Sequence, residues 1–354
     1  MRLRRLAPLA PLLALILAAC GSQPAAQPTT APESQPAAAT AAPAAEQKLV
    51  VYSGRSESLV APLFEQFTQD TGIAVEARYG DTAELAATIL EEGANSPADL
   101  FFAQDAGALG ALGAAGLLAP LPEASLDAVE PRFRSANGDW VGVSGRARVV
   151  VYNTEQLSEE DLPASITGFA APEWQGRVGW APTNGSFQAF VTAMRVQLGE
   201  EAARGWLEEM IANDTRVYER NAAIVNAVAA GEIDVGFVNH YYLYQIQAET
   251  GNTLQAANYY PQDGDVGALI NIAGVGLLNT ARNAGSAQEL VTYLLSADGQ
   301  RYFAEKTFEY PLTDAVQPDP RLRPLSEIQT PELDLNNLSD LQGTLQLLQE
   351  VGAL

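Results

Sequence analysis

The chain has 354 residues, with 43 acidic and 20 basic side chains, a net charge of −23 and a single cysteine. Nucleic acids and anionic membranes require a basic binding surface, so this charge argues against both as electrostatic partners. One cysteine excludes an internal disulfide and a metal site built from several thiolates. The part of the chain that we expect to fold, from Lys48 onward, is longer than a typical domain with one hydrophobic core. This length favours two lobes.

The first 20 residues are typical of a secretory leader. Three arginines at positions 2, 4 and 5 precede an apolar run, 6–19, that is too short to span a bilayer. The run ends in LAAC (17–20), which resembles the lipobox of bacterial lipoproteins, where the cysteine is lipidated. We therefore expect a lipid on Cys20 and a chain anchored outside the cytoplasm. The alternative is an ordinary leader in which the cysteine is coincidental.

Residues 21–47 consist almost wholly of Ala, Pro, Gln, Ser and Thr. Such a segment cannot bury enough apolar surface to fold. We interpret it as a tether, with the folded part beginning near Lys48.

Strand and helix patterns alternate from Lys48 onward. KLVVYS (48–53) and IAVEARYG (73–80) predict strands. Between them, apolar residues at helical spacing predict a helix: Leu59, Leu63, Phe64 and Phe67. Asp81, with Glu84 three residues later, predicts a capping box at the start of a second helix, which Gly93 ends.

ADLFFA (98–103) predicts a third strand, and small residues at 106–115 predict the helix that follows it. Strands and helices joined by short connections predict an α/β fold with parallel, doubly wound sheets.

Two later apolar runs, RVVVYN (148–153) and IAGVGLLN (272–279), predict two crossings of the chain between lobes. Two crossings would make each lobe discontinuous and place a ligand cleft between the lobes. We assign 48–146 plus 272–320 to an amino-terminal lobe. The carboxyl-terminal lobe then comprises 147–271 plus 321–354.

The stretch 231–251, GEIDVGFVNHYYLYQIQAETG, predicts a strand, a turn and a helix. Asn239 is a good helix cap, and Gly251 would follow the last turn. Tyr241 and Tyr242 then occupy the first turn, where free N–H groups and the helix dipole favour negative charge.

Two phenolates at one point suggest a hard, highly charged cation. A free tyrosine has a pKa near 10, so its ionisation at neutral pH requires strong help. Fe³⁺ is the usual biological ion that supplies this help. The structural alternative is a tyrosine pair that packs in a core or stacks on a sugar or another ring.

From Lys48 to the carboxyl terminus, the sequence resembles the periplasmic ferric-ion-binding proteins of bacterial ABC importers. The matching stretches are VVYSGRSE, FTQDTGIAVE, EEGANSPADLFF, VSGRARVVVYN, GRVGWAPTNGSF, AAGEIDVGFVNHYY and FEYPL. The resemblance implies a two-lobed periplasmic solute-binding fold (class II type), with a two-strand hinge and a sheet flanked by helices in each lobe.

The resemblance also implies that Tyr241 and Tyr242 bind Fe³⁺. The best-known members of the family add a His and a Glu from the amino-terminal lobe, and those places fall on Ser56 and Gln104 here. Neither residue is a strong Fe³⁺ ligand. Their neighbours provide two candidates, and these are Glu57, which we prefer, and Asp105. Alternatively, that lobe supplies no ligand, and a water or a small chelator completes the shell.

A synergistic anion, phosphate or carbonate, accompanies the metal in many members. The matching turn could offer hydroxyl, amide and backbone N–H donors; its residues are Thr183, Asn184, Gly185 and Ser186. Asn221 and Asn239 match two asparagines of the family's anion site, although Asn239 could be only a helix cap. Arg146 is a candidate carbonate partner or a hinge ion pair.

His240 is the only histidine of the chain, and the family commonly has Asn at its place. We expect it at the surface or behind the ligands rather than on the metal.

The predicted function is therefore capture of Fe³⁺ in the cleft and delivery to an ABC transporter permease, by a protein that we expect to be monomeric. A second hypothesis keeps the fold and changes the solute to an organic cation, thiamine, a phosphonate, a polyamine or an oxyanion. An enzyme is disfavoured, because one histidine and one leader cysteine leave few nucleophile–base pairs. A hydrolase with two carboxylates stays open.

Overall fold

The structure of the protein is a computed structural model in which residues 48–354 are described. The predicted leader, the lipidation of Cys20 and the tether 21–47 lie outside these residues. Between 48 and 354, no helix has both the length and the apolarity that a bilayer crossing requires.

The described residues form an α/β fold around a mixed sheet of ten strands. The strands are β1 (Lys48–Ser53), β2 (Ala74–Tyr79), β3 (Leu100–Ala103), β4 (Val141–Asn153), β5 (Val178–Trp180), β6 (Arg216–Val217), β7 (Val235–Asn239), β8 (Ala256–Tyr259), β9 (Ile270–Leu277) and β10 (Tyr310–Pro311).

Helices flank this sheet and connect its strands. They are α1 (Glu57–Thr71), α2 (Thr82–Glu92), α3 (Ala106–Ala114), α4 (Glu123–Leu126), α5 (Gly185–Leu198), α6 (Glu200–Ala212), α7 (Asn221–Ala229), α8 (Tyr241–Thr250), α9 (Ala284–Leu295), α10 (Ala297–Tyr302) and α11 (Leu341–Glu350).

The strand order is β2-β1-β3-β9-β4-β7-β5-β6, and β8 and β10 both pair with β4. Strands β1, β2 and β3 are mutually parallel, as are β5, β6 and β7. The central strands β4 and β9 are antiparallel to each other and to their neighbours β3 and β7. The prediction of parallel sheets is thus confirmed for β1–β3 and for β5–β7. It is wrong for the central strands β4 and β9, which are antiparallel to their neighbours, and antiparallel pairing requires no crossover helix.

Strand β4 joins two halves of the sheet. Its residues 141–147 pair with β9, and its residues 148–153 pair with β7 and β8. We call β1, β2, β3, β9, β10 and the start of β4 the first half-sheet, and β5, β6, β7, β8 and the end of β4 the second half-sheet. The two predicted crossings fall on β4 and β9, while the exact lobe boundaries stay a prediction.

Helix α1 shows why the helical spacing was informative. The side chains of Val60, Leu63, Phe64 and Phe67 are at most 4% exposed and belong to the core. Burial of each such side chain contributes about 1.5–3 kcal/mol. Gly72 ends the helix with φ 78°, a left-handed conformation that favours glycine.

The ends of α2 lie where the sequence predicted them, at Asp81 and Gly93. The predicted capping box is wrong, because the Asp81 side chain accepts no cap hydrogen bond. Asp81 instead lines a large cavity. Burial, reinforced by the charge of Glu84, raises the pKa of the Asp81 carboxyl.

Candidate metal-binding site

A cavity of about 760 Å³ lies between the two half-sheets. Ser56 and Gln104, which follow β1 and β3, line one wall. Thr183 and Asn184 follow β5, and Tyr242 follows β7, on the opposite wall. The cavity therefore lies at the carboxyl ends of parallel strands, where ligands bind in open α/β sheets.

Tyr241 and Tyr242 lie in the first turn of α8, as predicted. Strand β7 is buried along its whole length, and the chain leaves the sheet at His240 and enters the helix at Tyr241. The helix begins one residue later than expected, so Asn239 ends β7 and is not the helix cap. The free N–H groups of this turn favour negative charge at the phenols.

The two phenol rings are in direct contact, with centroids 4.4 Å apart and planes inclined by 32°. Tyr241 is fully buried, and its hydroxyl has no partner with hydrogen-bond geometry in residues 48–354. An orphaned buried hydroxyl costs about 1–3 kcal/mol. Tyr242 is half-buried and faces the cavity. Burial and the neighbouring Tyr241 raise the pKa of Tyr242, whereas Arg55 lowers it.

His240 is fully buried behind Tyr241, which is the second of its two predicted placements. Its Nδ1 accepts a hydrogen bond from the Ala147 N–H over 3.1 Å, and its Nε2 lies 2.9 Å from the Phe308 carbonyl oxygen. Because Nδ1 accepts, Nε2 carries the proton and donates. Burial lowers the pKa of His240 to about 3. Both ring nitrogens are engaged, so neither is free to bind a metal.

The Ser186 hydroxyl is a point on which three donors converge. Its oxygen lies 2.9 Å from Gln104 Nε2, 3.1 Å from Arg146 Nε and 3.0 Å from Asn239 Nδ2. Gln104 directly follows β3 of the first half-sheet, and Ser186 lies in the first turn of α5, beyond β5 of the second, so the contact bridges the cleft. Three donors around one small oxygen also form a suitable environment for an oxyanion.

The rest of the predicted anion turn surrounds Ser186. Asn184 Oδ1 accepts a hydrogen bond from the Ser186 N–H over 3.1 Å and lies 3.4 Å from Asn221 Nδ2. Thr183 is exposed at the cavity rim. A Cβ on Gly185 would lie only 2.9 Å from Asp105 Oδ2, so glycine permits the close approach of α5 to the first half-sheet.

Three buried arginines surround the tyrosine pair: Arg55, Arg146 and Arg148. Each is at most 3% exposed, and each has two guanidinium nitrogens without a partner in the described chain. Burial lowers the pKa of Arg146, and it lowers the pKa of Arg148 to about 9. Sequence reasoning missed Arg55 and Arg148. The sequence signal that could have identified Arg148 is its position as the basic first residue of the otherwise apolar run RVVVYN.

Arg55 forms an ion pair with Glu309, which sequence reasoning also missed. Arg55 Nη2 donates to Glu309 Oε2 over 2.7 Å, and both side chains are fully buried. Thr307 Oγ1 donates to the same oxygen over 2.9 Å. The guanidinium carbon of Arg55 lies 5.9 Å from the centroid of the Tyr241 ring.

The two carboxylates proposed as additional ligands lie in different environments. Asp105 is buried and caps α3, since its Oδ1 accepts the Ala108 N–H over 3.0 Å. Burial raises the pKa of Asp105, although the charge of Arg146 opposes this effect. Glu57 is exposed at the start of α1, and the cavity is lined by its neighbours Ser56 and Ser58. Across residues 48–354, no three His, Cys, Asp or Glu side chains gather to hold a metal.

Comparison with known proteins places the chain in a family. Residues 62–329 match the family described as "Bacterial extracellular solute-binding protein". The "Fe(3+)-binding periplasmic protein" of Serratia marcescens is 36% identical over 315 residues, which cover 88% of this chain and 93% of the relative. The chain belongs to the bacterial periplasmic ferric-ion-binding proteins.

Two further members support the family assignment. The "Major ferric iron-binding protein" of Neisseria meningitidis is 36% identical over 321 residues, covering 89% of this chain and 96% of the relative. The crystal structure of iron-bound HitA from Pseudomonas aeruginosa superimposes with a TM-score of 0.83 at 36% identity, covering 86% of this chain and 99% of HitA. These neighbours confirm the two-lobed solute-binding fold of the family for this member.

Proposed function

We propose that this protein captures Fe³⁺ through Tyr241 and Tyr242 and delivers it to the permease of an ABC importer. The fully buried hydroxyl of Tyr241 carries the proposal, because it is a strong oxygen ligand to which no atom of residues 48–354 makes a hydrogen bond of good geometry. The names of the relatives agree with this cargo. The predicted leader and Cys20 support a lipid-anchored, extracytoplasmic monomer.

The amino-terminal lobe contributes no strong ligand in this proposal. Ser56 and Gln104 stand at the places of the family's His and Glu, and Asp105 is already committed as a helix cap. Glu57 stays a candidate ligand that would have to turn from the surface into the cavity. We favour an anion or a water as the group that completes the metal shell.

The proposed anion binds beside the Ser186 hydroxyl, where the donors of Gln104, Arg146 and Asn239 converge, with Thr183, Asn184, Gly185 and Asn221 around them. Charge balance supports a dianion such as hydrogen phosphate or carbonate. Beside the site, the three buried arginines exceed the buried carboxylates Asp105 and Glu309 by one positive charge, since the third buried carboxylate, Asp99, lies at the far end of β3. Fe³⁺ with two phenolates adds one more. A dianion neutralises the sum, and an unneutralised buried charge is costly.

This charge distribution disfavours the alternative solutes of the organic-cation class. Arg55, Arg146 and Arg148 would repel an organic cation stacked on neutral Tyr241, because no phenolates and no dianion would accompany it as they accompany Fe³⁺. Catalysis is disfavoured as well, since the ring nitrogens of His240 are both occupied. We therefore propose solute binding rather than an enzymatic reaction.

The test is a visible spectrum of the leaderless, metal-free protein titrated with ferric nitrilotriacetate. A saturating tyrosinate-to-iron charge-transfer band is expected in the wild type and should be lost in Tyr241→Phe and Tyr242→Phe. Tyr244→Phe is the matched control, because Tyr244 lies on the same helix and its hydroxyl donates to the exposed Arg321 carbonyl oxygen over 3.3 Å. Absence of a band in the wild type would contradict direct tyrosine–iron bonding.

A further inference from the structure

Arg55 brings a positive charge from the first half-sheet to a tyrosine of the second. It lies between β1 and α1, immediately before Ser56. Ser56 stands at the position that holds the histidine ligand in the best-known members of the family. Its guanidinium carbon is 5.9 Å from the centroid of the Tyr241 ring, within the range of a cation–π contact. The contact therefore spans the cleft.

The orientation of Arg55 is fixed from behind. Glu309 Oε2 accepts its Nη2 over 2.7 Å and is itself held by Thr307 Oγ1 over 2.9 Å. Both charged side chains are fully buried, so water does not screen their interactions. Within the part of the chain that the structure describes, the Nε and Nη1 atoms of Arg55 and the Tyr241 hydroxyl have no partner with hydrogen-bond geometry.

We propose that Arg55 is the contribution of the amino-terminal lobe to iron capture: a positioning residue that holds the Tyr241 ring across the cleft and stabilises its tyrosinate form in place of a metal ligand from that lobe. This inference rests on the proposed function, because Tyr241 has to be an iron ligand.

The attraction between Arg55 and Tyr241 grows when the phenol becomes a phenolate, since a full negative charge replaces a ring quadrupole. In the loaded site the two phenolates and the proposed dianion together outweigh the charge of Fe³⁺, so Arg55 favours this site over the empty one. Arg146 and Arg148 lie on the hinge strand β4, whereas Arg55 comes from beyond β1. Because Arg55 lies beyond β1 and Tyr241 follows β7, their attraction couples closure of the cleft to formation of the tyrosinate.

The experiment compares the tyrosinate-to-iron band and the rate of iron release to a competing chelator in three variants. In Arg55→Gln, loss of the nearby cation raises the energy of the phenolate electrons, so the band should move to longer wavelength and iron should leave about tenfold faster. Arg55→Lys should restore much of both values. Arg78→Gln is the matched control, since Arg78 also lies over a tyrosine ring, Tyr52, at 5.0 Å, but away from the cavity.

The outcomes separate the inference from the proposed function. A wild type without a band contradicts the function and the inference together. A wild-type band with Arg55→Gln indistinguishable from Arg78→Gln overturns the role of Arg55 alone. Arg55→Gln leaves Glu309 as a buried unpaired charge and could fail to fold. In that case Arg55→Met with Glu309→Gln removes both charges, and an unchanged band and release rate in this double variant would also overturn the role.

Discussion

The Nε2 atom of His240 donates a hydrogen bond to the Phe308 carbonyl oxygen over 2.9 Å and thereby fastens the start of α8 to the segment before β10. Phe308 has φ 55°, a left-handed conformation that is unusual for a bulky residue and typically costs about 1–3 kcal/mol. The imidazole also stacks on Tyr310, with centroids 4.6 Å apart. His240 therefore stabilises the strained backbone at Phe308. Its hydrogen bond also links the second half-sheet to the first, beside the tyrosine pair.

Replacement of His240 by Leu should destabilise the metal-free protein by about 2–4 kcal/mol, because the Ala147 N–H and the Phe308 carbonyl would lose buried partners. Chemical denaturation at pH 7 measures this change in the free energy of unfolding. Tyr244→Phe, on the same helix, should stay within about 0.5 kcal/mol of the wild type. A loss below about 1 kcal/mol in His240→Leu would show that His240 does not hold the turn.

The sequence predicted elements that depend on local patterns. The strand 48–53 was confirmed residue for residue, and the helix with Leu63 and Phe67 on its buried face was confirmed as α1. The capping hydrogen bonds of Asp81 and Asn239 were predicted less well. A polar side chain near a cleft can face the cavity or bond to another side chain instead of capping a helix. Asp81 lines the cavity, and Asn239 donates to Ser186.

The candidate site depends on contacts between residues that are far apart in the sequence, and no local sequence pattern predicts such contacts. The Tyr241–Tyr242 pair was recognisable because its members are adjacent and match a family motif. The Arg55–Glu309 pair joins residues 254 positions apart, so neither partner predicts the other. The convergence of Gln104, Arg146 and Asn239 on Ser186 likewise appears only when three separate strands are assembled.

Replacement of Ser186 by Ala should weaken the dependence of iron affinity on phosphate. We expect phosphate to raise the affinity of the wild type, and this gain should shrink about tenfold in Ser186→Ala, because a charge-assisted hydrogen bond is lost. Affinity is measured by competition with a chelator at several phosphate concentrations. The control is Ser125→Ala, since Ser125 is 7% exposed and Ser186 is 5% exposed. An equal phosphate effect in both variants would place the anion elsewhere.

Acidification should weaken iron binding, because phenols must lose their protons to bind a metal. Burial raises the pKa of Tyr242, so its proton is present at neutral pH and leaves when iron binds. Release of two protons predicts a loss of about a hundredfold in affinity per pH unit, and of one proton about tenfold. His240, with a pKa of about 3, does not titrate in this range.

The measurement of this effect is competition with a chelator from pH 7.5 to 5, corrected for the protonation of the chelator itself. Tyr242→Phe should bind more weakly and show the smaller slope. An affinity that is flat over this range would rule out tyrosinate as the metal ligand.

Replacement of Gly185 by Ala should hinder closure of the cleft, because the added Cβ would lie 2.9 Å from Asp105 Oδ2 and 3.3 Å from Thr82 Cβ. Asp105 is buried and held by its cap on α3, so it has little room to yield. We expect an iron affinity at least about tenfold below that of the wild type, since 1.4 kcal/mol of strain suffices for this change. Small-angle X-ray scattering of the iron-loaded protein should show a larger radius of gyration.

Gly205→Ala is the matched control, because Gly205 lies in the interior of α6 with no atom within 4 Å of an added Cβ. That substitution should stabilise the fold by about 0.4–1 kcal/mol through the entropy of the unfolded chain, and it should leave the iron affinity unchanged. If Gly185→Ala bound iron as tightly as Gly205→Ala, the close approach of α5 to Asp105 would not be required for metal capture. The half-sheets would then close on iron with more space between them than the structure shows.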